Sequence, residues 1–308
     1  MRVLIAGATG VIGRRLVPLL SASGHEVIAL SRTPGRGTDP NVETIAADAL
    51  DRQDLIEVVG KARPEAVVHL LTAIPDRINP RRMEHDFTVT NRLRTEGTRN
   101  LIDAAQAAGA TRIIVQGLAY AYDPGRPGPA NEDEPLWQDP PRQWVTTRDA
   151  LVELERMTAE AGGLVLRFGH LYGPGTAYAG DGDFVRQIGG HKLPIIGDGG
   201  ASFSFTHTHD AATAVVSALT RPVVGALNIV DDEPATVAEW LPELARILGA
   251  KPPSRVPVFA ARLLTGAFGV AFFTRLRGAD NARARLALNW RPRFTSWRDG
   301  FKTELERA

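Results

Sequence analysis

The run Val3-Leu4-Ile5-Ala6-Gly7-Ala8-Thr9-Gly10-Val11-Ile12-Gly13 decides the fold. Four apolar residues end in glycine, and from there Ile12, Leu16, Leu19 and Leu20 recur at helical spacing as far as Ser23, so the stretch predicts strand, turn, helix. Gly7, Gly10 and Gly13 stand three residues apart in the turn. A side chain at Gly7 or Gly10 obstructs close approach of the backbone to a pyrophosphate, while Gly13 lets helix and strand pack. The helix N-terminus adds unpaired N–H groups and a favourable dipole. The turn therefore predicts a dinucleotide site that includes Gly7, Thr9, Gly10, Val11, Ile12 and Gly13; a tight turn without a ligand is the plainer alternative.

Outward from this turn, residues 26–30, 43–46, 66–71, 112–115 and 164–168 read as further short apolar strands, with helices at 53–60 and 93–108. Continuous apolar strands alternating with helices predict a doubly wound α/β fold, a parallel sheet covered on both faces. Residues 123–143 carry Pro124, Pro127, Pro129, Pro135, Pro140 and Pro141 and predict a long loop beside the ligand edge of the sheet, either a lid or binding segment or a surface excursion. Residues 211–219 read as a helix capped by His207 and Asp210, and His69 as a satisfied core histidine. The apolar stretch 263–273, bounded by Arg262 and Arg275, is too short to span a bilayer and reads as a buried or lid-forming helix, with a membrane-surface helix as the alternative. Arg77, Arg81, Arg82, Arg92 and Arg94 read as a solvated helix face, with a dimer face or an acidic ligand as alternatives.

The chain has 308 residues, 44% hydrophobic and 23% charged, and a net charge of +1, which excludes disorder and a polycation and gives no electrostatic footprint for nucleic acid. A small-molecule partner is expected, with no membrane span and no metal. Cysteine is absent, so disulfides and thiolate catalysis are excluded. With no charged leader and hydrophobic segment at Met1, a cytoplasmic location is expected.

An acidic residue at the end of the second strand selects NAD through its ribose 2′-hydroxyl. Ser31-Arg32 occupies that place, with Arg36 nearby and no carboxylate before Asp39. A hydroxyl and guanidinium groups suit a 2′-phosphate, so NADPH is expected, with NADH weaker; a solvated loop arginine is the alternative.

These residues, taken with motifs along nearly the whole chain, resemble the extended and atypical short-chain dehydrogenase/reductases, which include the NAD-dependent epimerase/dehydratases. Ala47-Asp48-Ala49 resembles that family's adenine-binding segment, residues 64–70 its fourth strand, and Asn91 with residues 97–101 the following helix. Residues 167–175 resemble the motif below the nicotinamide, with Phe168 where a proline is usual. Residues 197–199, 205–210 and 289–292 resemble the substrate-half signatures. The resemblance implies cofactor contacts at Asp48, Ala49, Leu70, Leu71, Thr72, Gln116, Arg148, Phe168 and His170. It also implies a dinucleotide-binding domain of residues 1–173 plus 201–230 and a substrate-binding region of 174–200 plus 231–308, with 202–206 and 227–229 returning to the core.

The family's catalytic Ser, Tyr and Lys are missing. There is no serine between Ser31 and Ser202 and no lysine between Lys61 and Lys192. Leu118 stands at the serine position, and Trp144-Val145-Thr146-Thr147-Arg148 stands where Tyr-x-x-x-Lys is usual. An indole N–H does not ionise, and a guanidinium holds hydroxyls without acting as an acid near neutrality. Gln116, Arg148 and His170 remain as candidate catalytic groups, of which His170 alone titrates near neutrality. Tyr120, Tyr122 and Trp144 are candidate substrate contacts.

In these departures the chain resembles atypical reductases of antibiotic tailoring. That resemblance implies an NADPH-dependent ketoreductase acting on an angucyclinone-like aromatic ketone, whose neighbouring phenol supplies the activation. The alternatives are a non-catalytic NADP(H)-binding regulator or sensor, and a sugar-nucleotide epimerase or dehydratase, which is disfavoured because it needs a base.

Overall fold

The computed structural model describes residues 1–33 and 42–306. Strands β1 (Arg2–Ala6), β2 (Glu26–Ser31), β3 (Glu43–Ala46), β4 (Ala66–His69), β5 (Arg112–Leu118) and β6 (Leu164–Phe168) join a seventh, Gly225–Ile229, in one sheet. Its order is seventh, β6, β5, β4, β1, β2, β3, and every neighbouring pair is parallel. β1 pairs with β2 on one side and β4 on the other, so the chain reverses its direction across the sheet there and opens a crevice at the strands' carboxyl ends.

The apolar runs follow from burial on both faces. Val3 and Ile5 point to the side covered by Leu16 and Leu20 of helix α1 (Gly13–Ala22) and by Ala211 and Val215 of the helix Thr208–Leu219. Leu4 and Ala6 point to the other side, against Leu55 and Val59 of the helix Arg52–Ala62 and Leu101 and Ala105 of the helix Thr98–Ala107.

Three local expectations shift. The strand expected over 66–71 ends at His69, whose Nδ1 accepts from the N–H of Leu71 at 3.2 Å and turns the chain out of the sheet. The helix expected over 93–108 opens with a π-helical turn, Leu93–Gly97, before continuing as Thr98–Ala107. Residues 202–206 stay outside the seven-stranded sheet: Ser202–Phe203 pairs with Ala235–Thr236, and Phe205–His207 pairs with His170–Tyr172.

The proline-rich loop is pinned at both ends. Arg277 holds the carboxylate of Glu134 at 2.6 and 3.1 Å and the carbonyl of Gly128 at 2.7 Å, while Asp123 accepts from the N–H groups of Gly125 and Gln138, both at 2.8 Å. Trp137, Ala130 and Leu136 from this loop are buried. The helix Val258–Thr274 breaks at Gly266, where φ is 75°; beyond the break Phe268 and Phe273 are buried, and before it Phe259, Leu263 and Leu264 are exposed. Among the described residues no helix is long and apolar enough to cross a membrane.

Candidate active site

The glycine turn has the geometry of an anion cradle. Gly7 adopts φ +102°, and a Cβ there would lie 2.9 Å from the carbonyl carbon of Leu70. A Cβ on Gly13 would overlap the carbonyl oxygens of Gly7 and Ala8, so only glycine lets α1 start this close to β1. Thr9 and Gly10 are exposed, Val11 is half-buried and Ile12 is buried. Ile12 caps α1 without a side-chain hydrogen bond, and its first turn carries no acidic residue. N–H groups left open beside a positive dipole end fit a dinucleotide pyrophosphate.

Apart from Arg36 and Arg148, the remaining expected cofactor residues lie in or just after strands of the same sheet. Ser31 ends β2, its hydroxyl bonded to Thr33, and Arg32 beyond it is exposed; Arg36 lies outside the described residues. After β3, Asp48 is exposed and accepts from the N–H of Leu50 at 2.9 Å, and the Ala49 carbonyl accepts from Asn100. After β4, Leu70 is buried with its N–H on the Ala6 carbonyl, Leu71 is half-buried and Thr72 exposed. Gln116 is half-buried in β5. Phe168 ends β6 within the core, its carbonyl accepting from the N–H of Ala119 at 2.8 Å.

Beyond the ends of β5 and β6 stands a wall of stacked rings. His170 lies between Tyr120, with centroids 4.3 Å apart, and Phe203, at 4.0 Å, both nearly parallel to it, and Phe272 meets its edge at 5.6 Å. His170 is 6% exposed and its Nε2 has no hydrogen-bond partner among the described residues. Burial pushes its pKa down to about 3, so it is a neutral ring at physiological pH. Burial also raises the Tyr120 phenol above its ordinary value, with Arg94 pulling partly the other way. His170→Phe is accordingly expected to keep turnover within about three-fold, since efficient acid–base catalysis asks for a pKa near the working pH; a loss of about a hundred-fold in a steady-state assay would restore His170 as a proton donor.

The other candidates lie elsewhere. Tyr122 is fully buried, its hydroxyl accepting from Arg167 and donating to Asn228, both at 2.6 Å; burial first of all pushes its pKa up to about 12. It belongs to a polar core network rather than to an open surface. Trp144 is 4% exposed and stacks on Phe268 at 4.9 Å, which fastens the helix Arg142–Glu160 to the half of Val258–Thr274 beyond the break. Arg148, expected beside the ribose, donates instead to the carbonyls of Trp137 and Gln138 at 2.9 and 2.7 Å and to Asp149 at 2.6 Å, and so ties down the proline-rich loop. Leu118 is buried at the serine position. His207 caps its helix by accepting from the N–H of His209, whereas Asp210 accepts from the N–H groups of Arg293 and Phe294. His69 is buried and bonded to Thr98 Oγ1 at 3.1 Å.

Phe203 and Phe272 were not singled out by the sequence pattern, because they come from segments far apart in the chain. Arg77, Arg81, Arg82 and Arg92 are exposed as expected of a solvated face, whereas Arg94, read with them, is buried on the π-turn.

Residues 3–230 match the model of the NAD dependent epimerase/dehydratase family, and the chain belongs to that family. It is 48% identical over 307 residues to the 3-diazoavenalumate denitrifying reductase of a Streptomyces species, covering 99% of this chain and all of that one. It is 30% identical over 267 residues to the human epimerase family protein SDR39U1, covering 82% of each. Among solved structures, UDP-glucose 4-epimerase of Thermotoga maritima superposes with a TM-score of 0.79 at 21% identity over 99% of this chain and 98% of that one. Human SDR39U1 with NADPH gives 0.75 at 23% over the whole of both chains. The chain is an oxidoreductase with a nicotinamide-dinucleotide fold.

Proposed function

We propose that this protein is an NADPH-dependent reductase of a small aromatic substrate that supplies its own activation. The carrying observation is that the ring wall offers no proton donor poised near neutrality: His170 is neutral and buried, Tyr120 is raised by burial, and tryptophan and arginine occupy positions 144 and 148. When bound, a nicotinamide dinucleotide supplies hydride. The glycine turn and the N-terminus of α1 hold its pyrophosphate, and Ser31 and Arg32 hold a 2′-phosphate. Tyr120, with His170 behind it, gives an aromatic ring a flat platform, and the loop 123–143 with the helix Val258–Thr274 screens the cleft.

An aryl diazo group is the favoured acceptor. On the aryl diazonium form a hydride takes the place of the diazo group at the ring carbon, giving the arene and dinitrogen with no protein proton consumed; the 48% identical Streptomyces protein is named a 3-diazoavenalumate denitrifying reductase. The second reading is an aromatic ketone, angucyclinone-like, whose neighbouring phenol protonates the alkoxide, and it rests on the same missing donor. NADPH oxidation with 3-diazoavenalumate and with a panel of hydroxyaryl ketones separates them. Dinitrogen release in step with NADPH oxidation supports the first, a secondary alcohol the second, and tight NADPH binding with no turnover on any of them overturns both. For the cofactor, Arg32→Ala is expected to weaken NADPH binding about ten-fold with NADH binding nearly unchanged; equal loss for both would contradict the 2′-phosphate role.

A further inference from the structure

Arg94 is 4% exposed, on the π-helical turn Leu93–Gly97. A π-turn places an extra residue in the helical circuit, and such turns are frequent at functional sites. Here Arg92 stays on the surface in an ion pair with Glu96, and Arg94 is carried inward. Three other arginines are similarly buried, and each spends at least two guanidinium nitrogens on protein acceptors. Arg167 holds both oxygens of Glu155 at 2.7 Å, Arg277 holds both oxygens of Glu134, and Arg112 donates to the carbonyls of Ala218 and Val223. Arg94 differs: among the described residues it has one hydrogen bond, from Nη1 to Asn91 Oδ1 at 3.2 Å, and no carboxylate within ion-pairing distance.

A guanidinium with one neutral acceptor, on a side chain otherwise packed inside the protein, keeps donors free for a partner that arrives with the ligand. Its surroundings say where that partner comes from. Asn91 donates onward to Thr147 of the helix Arg142–Glu160, and the charge of Arg94 acts on both His69 at the end of β4 and Tyr120 in the ring wall. Burial lowers its own pKa to about 10, so it keeps its charge at neutral pH. The guanidinium is thus near enough to Tyr120 for its charge to act on that phenol, and through Asn91 it is tied to the helix that carries Thr147. We infer that Arg94 is the anion anchor of the substrate site, binding an oxyanion carried on the aromatic ring, a carboxylate or a phenolate. This rests on the reading that the cleft takes an aromatic substrate.

The test is calorimetric binding to the NADP⁺-saturated protein, without turnover. The probes are 4-methoxybenzoate, which carries the carboxylate alone; methyl 4-hydroxybenzoate at pH 9, which carries the phenolate; and methyl 4-methoxybenzoate, which carries neither. At least one anion is expected to bind about ten-fold or more tightly than the neutral ester. Arg94→Met should abolish the difference and Arg94→Lys should retain part of it, with NADPH affinity unchanged in both. Arg94→Met should leave Tm within ~2 °C, since one hydrogen bond to Asn91 is all the protein loses; a larger fall would mark a structural arginine. Failure of either anion to bind better than the neutral ester, or survival of the preference in Arg94→Met, overturns the inference. So does loss of NADPH binding in that variant, which would put the guanidinium on the cofactor. A failed reductase assay with the anion preference intact would refute the proposed reaction while leaving this anchor standing.

Discussion

Acidification from pH 7 to 4 should unfold the protein cooperatively, with a midpoint between about pH 4 and 5. His69, His170 and His207 are held neutral by burial, which pushes them down to about 4, about 3 and about 4 from 6.5. Because their folded values lie below the unfolded one, the unfolded chain binds more protons once the pH drops below 6.5. Stability is therefore full above 6.5 and is lost progressively as pH falls towards the folded values. Each group contributes about 1.4 kcal/mol per pH unit, so three together lose roughly 4 kcal/mol per unit, against a typical total of 5–15 kcal/mol. The carboxyls of Asp210, Asp231 and Glu132, raised by burial, act in the opposite sense and soften the lower part of the transition. Denaturant titrations at successive pH values check this. A slope of less than one proton between pH 6.5 and 5 would contradict it, and His170→Phe should move the midpoint downward.

The second large effect is expected at Arg167. Its guanidinium binds Glu155 through two parallel hydrogen bonds of 2.7 Å, donates to the Tyr122 hydroxyl and lies 5.0 Å from the centre of that ring. Arg167→Met leaves Glu155 charged at 17% side-chain exposure with its strongest partner removed, and leaves Tyr122 with one hydrogen bond instead of two. Breaking a buried pair in this way costs about 3–5 kcal/mol, whereas removing both charges is often close to neutral. The double variant Arg167→Met/Glu155→Leu should therefore recover most of the stability lost by the single one. A loss under about 1 kcal/mol for the single variant in urea denaturation would contradict this account of the network.

The sheet and its glycine turn were legible because their constraints are local. β1 and β4 are buried on both faces and so consist of apolar runs, and the positive φ of Gly7 and the crowding at Gly13 force glycine at fixed positions. The ring wall was half legible. His170 and Tyr120 stand next to recognisable strands, but Phe203 and Phe272 reach them through strands of two residues and a broken helix, whose partners no periodicity announces. Tyr122 and Trp144 have the residue types of a substrate platform, and only packing under the proline-rich loop and against Phe268 makes them core. Arg148 meets the carbonyls of Trp137 and Gln138 only because that loop folds back on the helix. Arg94 was hidden among exposed arginines because a π-turn changes which side chain faces inward without changing the composition.

The central claim is that hydride transfer here needs no protonating side chain. Its most direct test is a single-turnover measurement with NADPH and 3-diazoavenalumate, following nicotinamide absorbance between pH 6.5 and 9 in H₂O and in D₂O. The account predicts a rate that is flat across this range and equal in the two solvents. A rate that rises or falls with an apparent pKa inside the range, together with a solvent isotope effect of about two or more, would show a protein proton in flight and contradict it.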